Sequence, residues 1–196
     1  MSNETAHAGE AGRVCVYMAC SLDGFIAGPD HDIAWLTADY SGPDALPAEP
    51  GALDFEPFMA QVGALLMGRG TYDVIEPMDA WGYGETPVLV ATRRALNPKR
   101  ETVRAVSGSI EEVVAEAKTV AGDKIVYLDG GDLVRQALDA GLVHEMTITF
   151  VPVLLGGGVR LFDGLVARRR LRFSGHHALG GGLVQLRAQV LAADAT

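Results

Sequence analysis

Residues 125–138 read IVYLDGGDLVRQAL. The run Ile125, Val126, Tyr127, Leu128 is apolar without alternation, the pattern of a short strand buried on both faces. It ends on Gly130-Gly131, and helical spacing begins at once, with Leu133, Ala137 and Leu138 on one face and Gly141 placed as the stop. A strand that runs through glycines straight into a helix is the unit of a parallel α/β sheet. It leaves the free N–H groups of the helix start at the carboxyl end of the strand, where an anion can meet them. Asp129 and Asp132 flank the turn and would repel a phosphate unless turned away; Asp132 suits a helix cap.

Working outward, short β-branched runs bounded by glycine or proline predict strands at 13–21, 64–68, 87–92, 102–106, 124–130, 145–153, 170–177 and 183–191. Helical spacing predicts helices at 54–62 and 132–140. A third, at 110–120, opens on Ser109 with Glu112 three residues later, a capping box. Alternating strands and helices imply parallel crossovers with helices on both faces of the sheet. The last two strands are joined only through Gly180-Gly181-Gly182 and so predict an antiparallel hairpin. The expected fold class is α/β, an eight-stranded, mostly parallel sheet with an antiparallel C-terminal hairpin, in one domain over 13–193 behind a disordered tail at 1–12. Long loops at 28–53 and 76–86, rich in Gly, Pro and Asp, are the places to expect functional segments.

The composition narrows the function classes. Of 196 residues, 48% are hydrophobic and 21% charged, a normal balance for a globular core. The net charge of −9 disfavours nucleic acid and anionic membranes as partners, so any phosphate must be met by a local set of amides and arginines. No apolar run reaches the roughly 18 residues of a membrane helix and no secretory signal pattern opens the chain, so the expected location is cytoplasmic. Cys15 and Cys20 are the two cysteines. On one strand they would stand roughly 16 Å apart, too far for a disulfide, and they offer no zinc pattern. No metal is expected.

Two further strand ends carry chemistry. In LLMGRGTYDVI, 65–75, a buried strand stops at Gly68, and Arg69 and Thr71 lead toward a short helix; the arginine can fork onto a phosphate. In VATRR, 90–94, a strand ends in Thr92-Arg93-Arg94. Three such ends point to one crevice at the carboxyl edge of the sheet. No GxSxG elbow, Walker A loop, HExxH or CxxC occurs, and His144, His176 and His177 lack partners at metal spacing. Arg168-Arg169-Arg170 reads as a solvated turn.

These segments resemble the dihydrofolate reductase superfamily and, within it, the reductase domain of bacterial riboflavin biosynthesis. VYMACSLDGFIAG (16–28) is similar to the first strand and loop, LLMGRGTYDVI to the segment with the MGRxT core, and LDAGLVHEMTITFVPVLLGGGVRLF (138–162) to the riboflavin-reductase block. The resemblance implies a dihydrofolate reductase-like fold and NADPH as cofactor. It assigns Ala19 and Ile26 to the nicotinamide carboxamide, and Gly68, Arg69, Thr71 and Tyr72 to the adenosine-phosphate side. Thr92 and Arg93 fall beside the ribose phosphate, and Gly130, Gly131 and Leu133 at the pyrophosphate. It implies Ser21, Asp23, Trp35, Asp129 and Gly156 on the substrate side, Asp129 replacing a glutamate usual in riboflavin reductases.

The implied function is an NADPH-dependent oxidoreductase like 5-amino-6-(5-phosphoribosylamino)uracil reductase, transferring hydride to a small heterocyclic substrate, a pyrimidine-linked ribose. Asp23 is the first candidate for the proton donor, ahead of Asp129 or water. The alternatives are a dihydrofolate or pterin reductase and a nucleotide-binding homologue without turnover. A pterin reductase places an acid on the helix after the Trp loop; five residues beyond Trp35 stands Tyr40, which argues against folate. Related reductases commonly dimerise, so a homodimer is expected, with EMTITFVPVLL as an apolar edge.

Overall fold

The computed structural model describes residues 12–43, 45–78 and 81–192, so all but Gly12 of the expected tail lies outside the described residues. Strand β1 (Val14–Ser21) lies near the middle of an eight-stranded sheet. With β3 (Val62–Gly68), β4 (Val88–Ala91), β5 (Val103–Val106), β6 (Ile125–Asp129), β7 (Glu145–Val151), β9 (Leu171–Ala178) and β10 (Val184–Val190), the order is β5-β4-β3-β6-β1-β7-β10-β9. All neighbours from β5 to β7 pair in parallel, while β10 runs antiparallel to both β7 and β9. The expected mostly parallel sheet with an antiparallel C-terminal hairpin is therefore present.

The helices are α1 (Phe55–Met59), α2 (Arg69–Ile75), α3 (Ile110–Ala121) and α4 (Gly131–Asp139). The capping box holds: the Ser109 side chain accepts from Glu112 N (3.3 Å), and Ser109 N donates to the Glu112 carboxylate (2.8 Å). Helix α4 gives way at Ala140 to Gly141, whose φ of +72° suits glycine. Helix α1 is shorter than expected because Val62 already pairs with Ile125 in the ladder. Two strands escape the sequence reading, β2 (Phe25–Ala27) and β8 (Val159–Arg160), which pair with each other in a separate ribbon.

Each face of the sheet has its own core. One gathers Val14, Val16, Leu66, Leu128 and Ile148 with Val113, Val114 and Ala117 of α3 and Val134, Ala137 and Leu138 of α4. The other holds Leu65, Met67, Val88 and Val90 with Phe58, Tyr72 and Tyr127. Burying each valine, leucine or isoleucine side chain contributes roughly 1.5–3 kcal/mol. One expectation fails: β7 lies between β1 and β10, so the EMTITFVPVLL run is not an edge. The edges are β5 and β9, and β9 exposes Phe173 and Leu171.

Candidate functional site

The parallel strands end on one side of the sheet, and a cavity of about 650 Å³ opens there. Its walls come from Tyr17, Met18 and Ala19 of β1, Gly68 at the end of β3, Ala91 at the end of β4, and Asp129 at the end of β6. The starts of α2 (Arg69, Gly70, Thr71) and α4 (Gly131, Asp132, Leu133) close the floor, and Ile26, Ala27 and Val159 of the small ribbon close one flank. A second cavity of about 390 Å³ continues outward, lined by Thr92, Arg93, Arg94, Ser107 and Gly108. Arg69, Ala91, Leu133 and Gln136 border both.

Gly130 is why the two helix starts converge. Its φ of +94° suits glycine, and a Cβ there would fall inside contact distance of Thr71 Oγ1. No side chain caps α4, so the N–H groups of its first turn stay available to an anion. Asp132 does not compete: it is exposed and pairs with Arg135. At the junction Arg69 is fixed, with Nε donating to Asp73 Oδ1 (2.6 Å) and Nη1 to Ala95 O (2.9 Å). Arg94 reaches the other oxygen of Asp73 at 3.4 Å. Uncapped amides inside and three arginines outside form a donor set that fits a phosphorylated dinucleotide.

The sequence-derived residues divide accordingly. Ala19, Ile26, Gly68, Arg69, Thr71, Asp129, Gly130, Gly131 and Leu133 line the inner cavity, and Thr92 and Arg93 the outer one. Tyr72, Ser21, Asp23, Trp35 and Gly156 line neither. Tyr72 is buried under α2 in the core. Trp35 is buried with its indole N–H on Asp32 O (3.2 Å). Ser21 is spent in place, donating to Asp23 Oδ1 (2.6 Å) and accepting from Phe25 N (2.9 Å).

Asp23 lies apart from both cavities, in a network of its own. Its carboxylate accepts from Ser21, from Leu155 N (3.1 Å) and from Gly156 N (2.8 Å). These bonds, the Ser21 hydroxyl first, lower its pKa to about 2. A carboxyl ionised to that depth holds no proton to donate near neutrality. It latches the β1–β2 turn to the 153–157 loop instead, helped by Arg160 Nη1 on Asp23 O (2.9 Å). Tyr40 lies in a loop, its hydroxyl on Trp35 O (2.8 Å), and the next helix is α1, preceded by an exposed Asp54 that lines neither cavity.

Asp129 is the opposite case. It is 8% exposed, and burial raises its pKa to about 6, partly offset by the Gly130 N–H (2.7 Å) and the Tyr83 hydroxyl. The Tyr127 hydroxyl offsets it as well, and also lies within hydrogen-bond distance of Tyr17 O (2.8 Å). Tyr17, Tyr83, Tyr127 and Phe55 form an aromatic wall around the carboxyl. The sequence reading missed these rings. Strand periodicity offered a signal for two of them, since Tyr127 shares a face with Asp129 and Tyr17 with Ala19. Among the described residues, no group of three or more His, Cys, Asp or Glu is placed to hold a metal.

A sheet in this order, with a crevice across the carboxyl ends of its parallel strands, defines a dihydrofolate reductase-like α/β protein. Residues 13–185 match the RibD C-terminal domain, and the chain belongs to that reductase-like family. It is 28% identical over 169 residues to the uncharacterized protein YwjB of Bacillus subtilis, covering 86% of this chain and 92% of that one. A putative riboflavin biosynthesis protein from Shewanella sp. PV-4 superposes with a TM-score of 0.77 at 30% identity, covering 92% and 99% of the two chains. The same fold occurs in a bifunctional deaminase/reductase of Thermotoga maritima (TM-score 0.64, 15% identity), where this chain spans 56% of the other and 91% of itself is covered. It occurs again in dihydrofolate reductase from Enterococcus faecalis complexed with NADP(H) (TM-score 0.54, 15% identity, 93% and 99% covered).

Proposed function

We propose that the chain is an NADPH-dependent reductase of the riboflavin-biosynthesis type, passing hydride to the ribose of a pyrimidine-linked substrate. The observation that carries this is the pair of joined cavities, with uncapped α4 amides in the inner one and Arg69, Arg93 and Arg94 around the outer one. Family membership and the NADP(H) complex of the enterococcal enzyme of the same fold support it. NADPH, when bound, supplies the hydride.

The chain's own residues do the rest. Gly130, Gly131 and Leu133 would hold the pyrophosphate, and Ala19 and Ile26 would border the ring. The aromatic wall excludes water from the reacting carbon. The proton goes to the substrate atom left with the electron pair, and Asp129 holds it at Oδ, because a pKa near 6 lies close to the working pH.

A thermal-shift titration tests the cofactor, since a ligand of the native state must raise its stability. The midpoint rises with millimolar NADPH, and Arg69→Ala weakens NADPH at least tenfold more than NADH. A flat midpoint removes every reductase reading; equal losses remove the role of Arg69. NADPH binding without oxidation in the presence of any pyrimidine or pterin would point to a homologue without turnover.

A further inference from the structure

We propose that Gln185 is a positioning residue for the inner cavity: its buried carboxamide clamps the backbone of Leu53 and so sets the Tyr17 and Phe55 rings on the cavity wall. This rests on the reductase reading above, which makes that cavity the place of reaction. Gln185 lies on β10 and is 0% exposed, a polar side chain with no access to water. It registers with Thr149 of β7, and Thr149 with Ala19 of β1, so it stands on the cavity's face of the sheet. Its Oε1 accepts from Leu53 N (2.8 Å) and its Nε2 donates to Leu53 O (3.0 Å). Two bonds exchanged with one residue are what a neighbouring strand offers in a ladder. A carboxamide can replace that strand because it carries an acceptor and a donor side by side.

The clamp reaches the cavity in two ways. The Tyr17 hydroxyl donates to the same Leu53 O (2.8 Å), so Leu53 joins β10 to the ring that β1 contributes. Two residues on, Phe55 opens α1 with its ring 5.8 Å from that of Tyr17, and both rings line the cavity. The chain leading up to Leu53 has little else to fix it. Residues 46–51 are exposed, Leu46 at 56%, so apolar burial contributes little there. Hydrogen bonds and close approach hold it instead. Glu49 N donates to Ala178 O (2.8 Å), and its Oε2 accepts from Ala178 N (2.9 Å). Gly51, at φ +99°, passes His177 so closely that a Cβ would stand 3.0 Å from the imidazole. Residues 49, 51 and 53 are thus pinned in turn to β9 and β10, and Gln185 is the last pin before the cavity wall. The Leu53 side chain packs on the core, and the clamp orients its backbone.

The test compares Gln185→Met and Gln185→Glu with the wild type, as full chains, by hydrogen exchange and by steady-state oxidation of NADPH with 5-amino-6-(5-phosphoribosylamino)uracil. Methionine keeps the length of the side chain and removes both bonds. Glutamate makes both bonds only when protonated, as a C=O acceptor and an O–H donor. In Gln185→Met the protection factor of the Leu53 amide falls at least tenfold while those of β1 and β7 hold. KM for the pyrimidine rises at least fivefold, against less than twofold for NADPH. In Gln185→Glu both defects, measured against the wild type at the same pH, are present at pH 8 and reverse toward pH 5.5. Unchanged protection at Leu53, equal rises in the two KM values, or a Gln185→Glu defect that ignores pH overturns the inference. If one variant does not fold, the other decides. A wild type that oxidises no NADPH removes the reductase reading instead, and the exchange of Leu53 still decides the clamp.

Discussion

Asp129 and Asp23 are both aspartates beside a glycine at a strand end, and their surroundings drive them apart. Three donors to the Asp23 carboxylate keep it ionised, whereas the apolar shell of Asp129 favours its protonated form. The consequence for stability has a definite sign. A carboxyl whose pKa rises on folding binds more protons in the native state than in the unfolded one. Stability from this group is complete below the unfolded value near 4 and is lost as pH rises through about 6. Asp129→Asn should thus stabilise the protein by about 1–3 kcal/mol at pH 8 while the gain vanishes at pH 4. Urea titrations at both values check this, and an equal gain at the two would refute the assignment. Asp23→Asn should lower stability through the loosened latch, and leave the pH profile of turnover unmoved. A loss of the basic or acidic limb in that profile would restore Asp23 as a proton carrier.

At the level of elements, caps and glycines carry the predictions. Ser109→Ala removes one half of the capping box of α3 and should cost about 1 kcal/mol with NADPH affinity unchanged. Gly130→Ala strikes both stability and binding: it puts a side chain at φ +94° and pushes Thr71 away, which should cost at least about 2 kcal/mol and weaken NADPH. Strands β1, β3 to β7 and β10 were legible in the sequence because each carries enough β-branched or aliphatic residues to show a period, and β9 because the glycine run 180–182 pairs it with β10. β2 and β8, at three and two residues, fall below any readable period, and only their pairing across the chain makes them strands. Glycine, arginine and threonine at strand ends announced the half of the crevice lined by helix starts and arginines. The aromatic half was hidden, since Tyr83 and Phe55 come from a loop and a short helix whose placement no local pattern sets.

Across the molecule, the exposed face of β9 bears on assembly. Phe173 is 66% exposed on an edge strand beside Leu171, an arrangement that invites pairing with a second copy. Light scattering should give twice the 20.7 kDa chain mass, and Phe173→Glu should return it toward one chain. A monomeric wild type would exclude the homodimer. The two cavities that meet at Arg69 have a consequence of another kind. Under the proposed NADPH reading they would make the crevice a bivalent receptor, each chamber recognising one end of a tethered ligand. Each half alone, such as adenosine 2′,5′-bisphosphate or nicotinamide mononucleotide, should bind weakly, while the tether holds the second half at an effective concentration in the millimolar range once the first has docked. Selectivity for the whole dinucleotide then comes from the spacing between the chambers as much as from contacts within either.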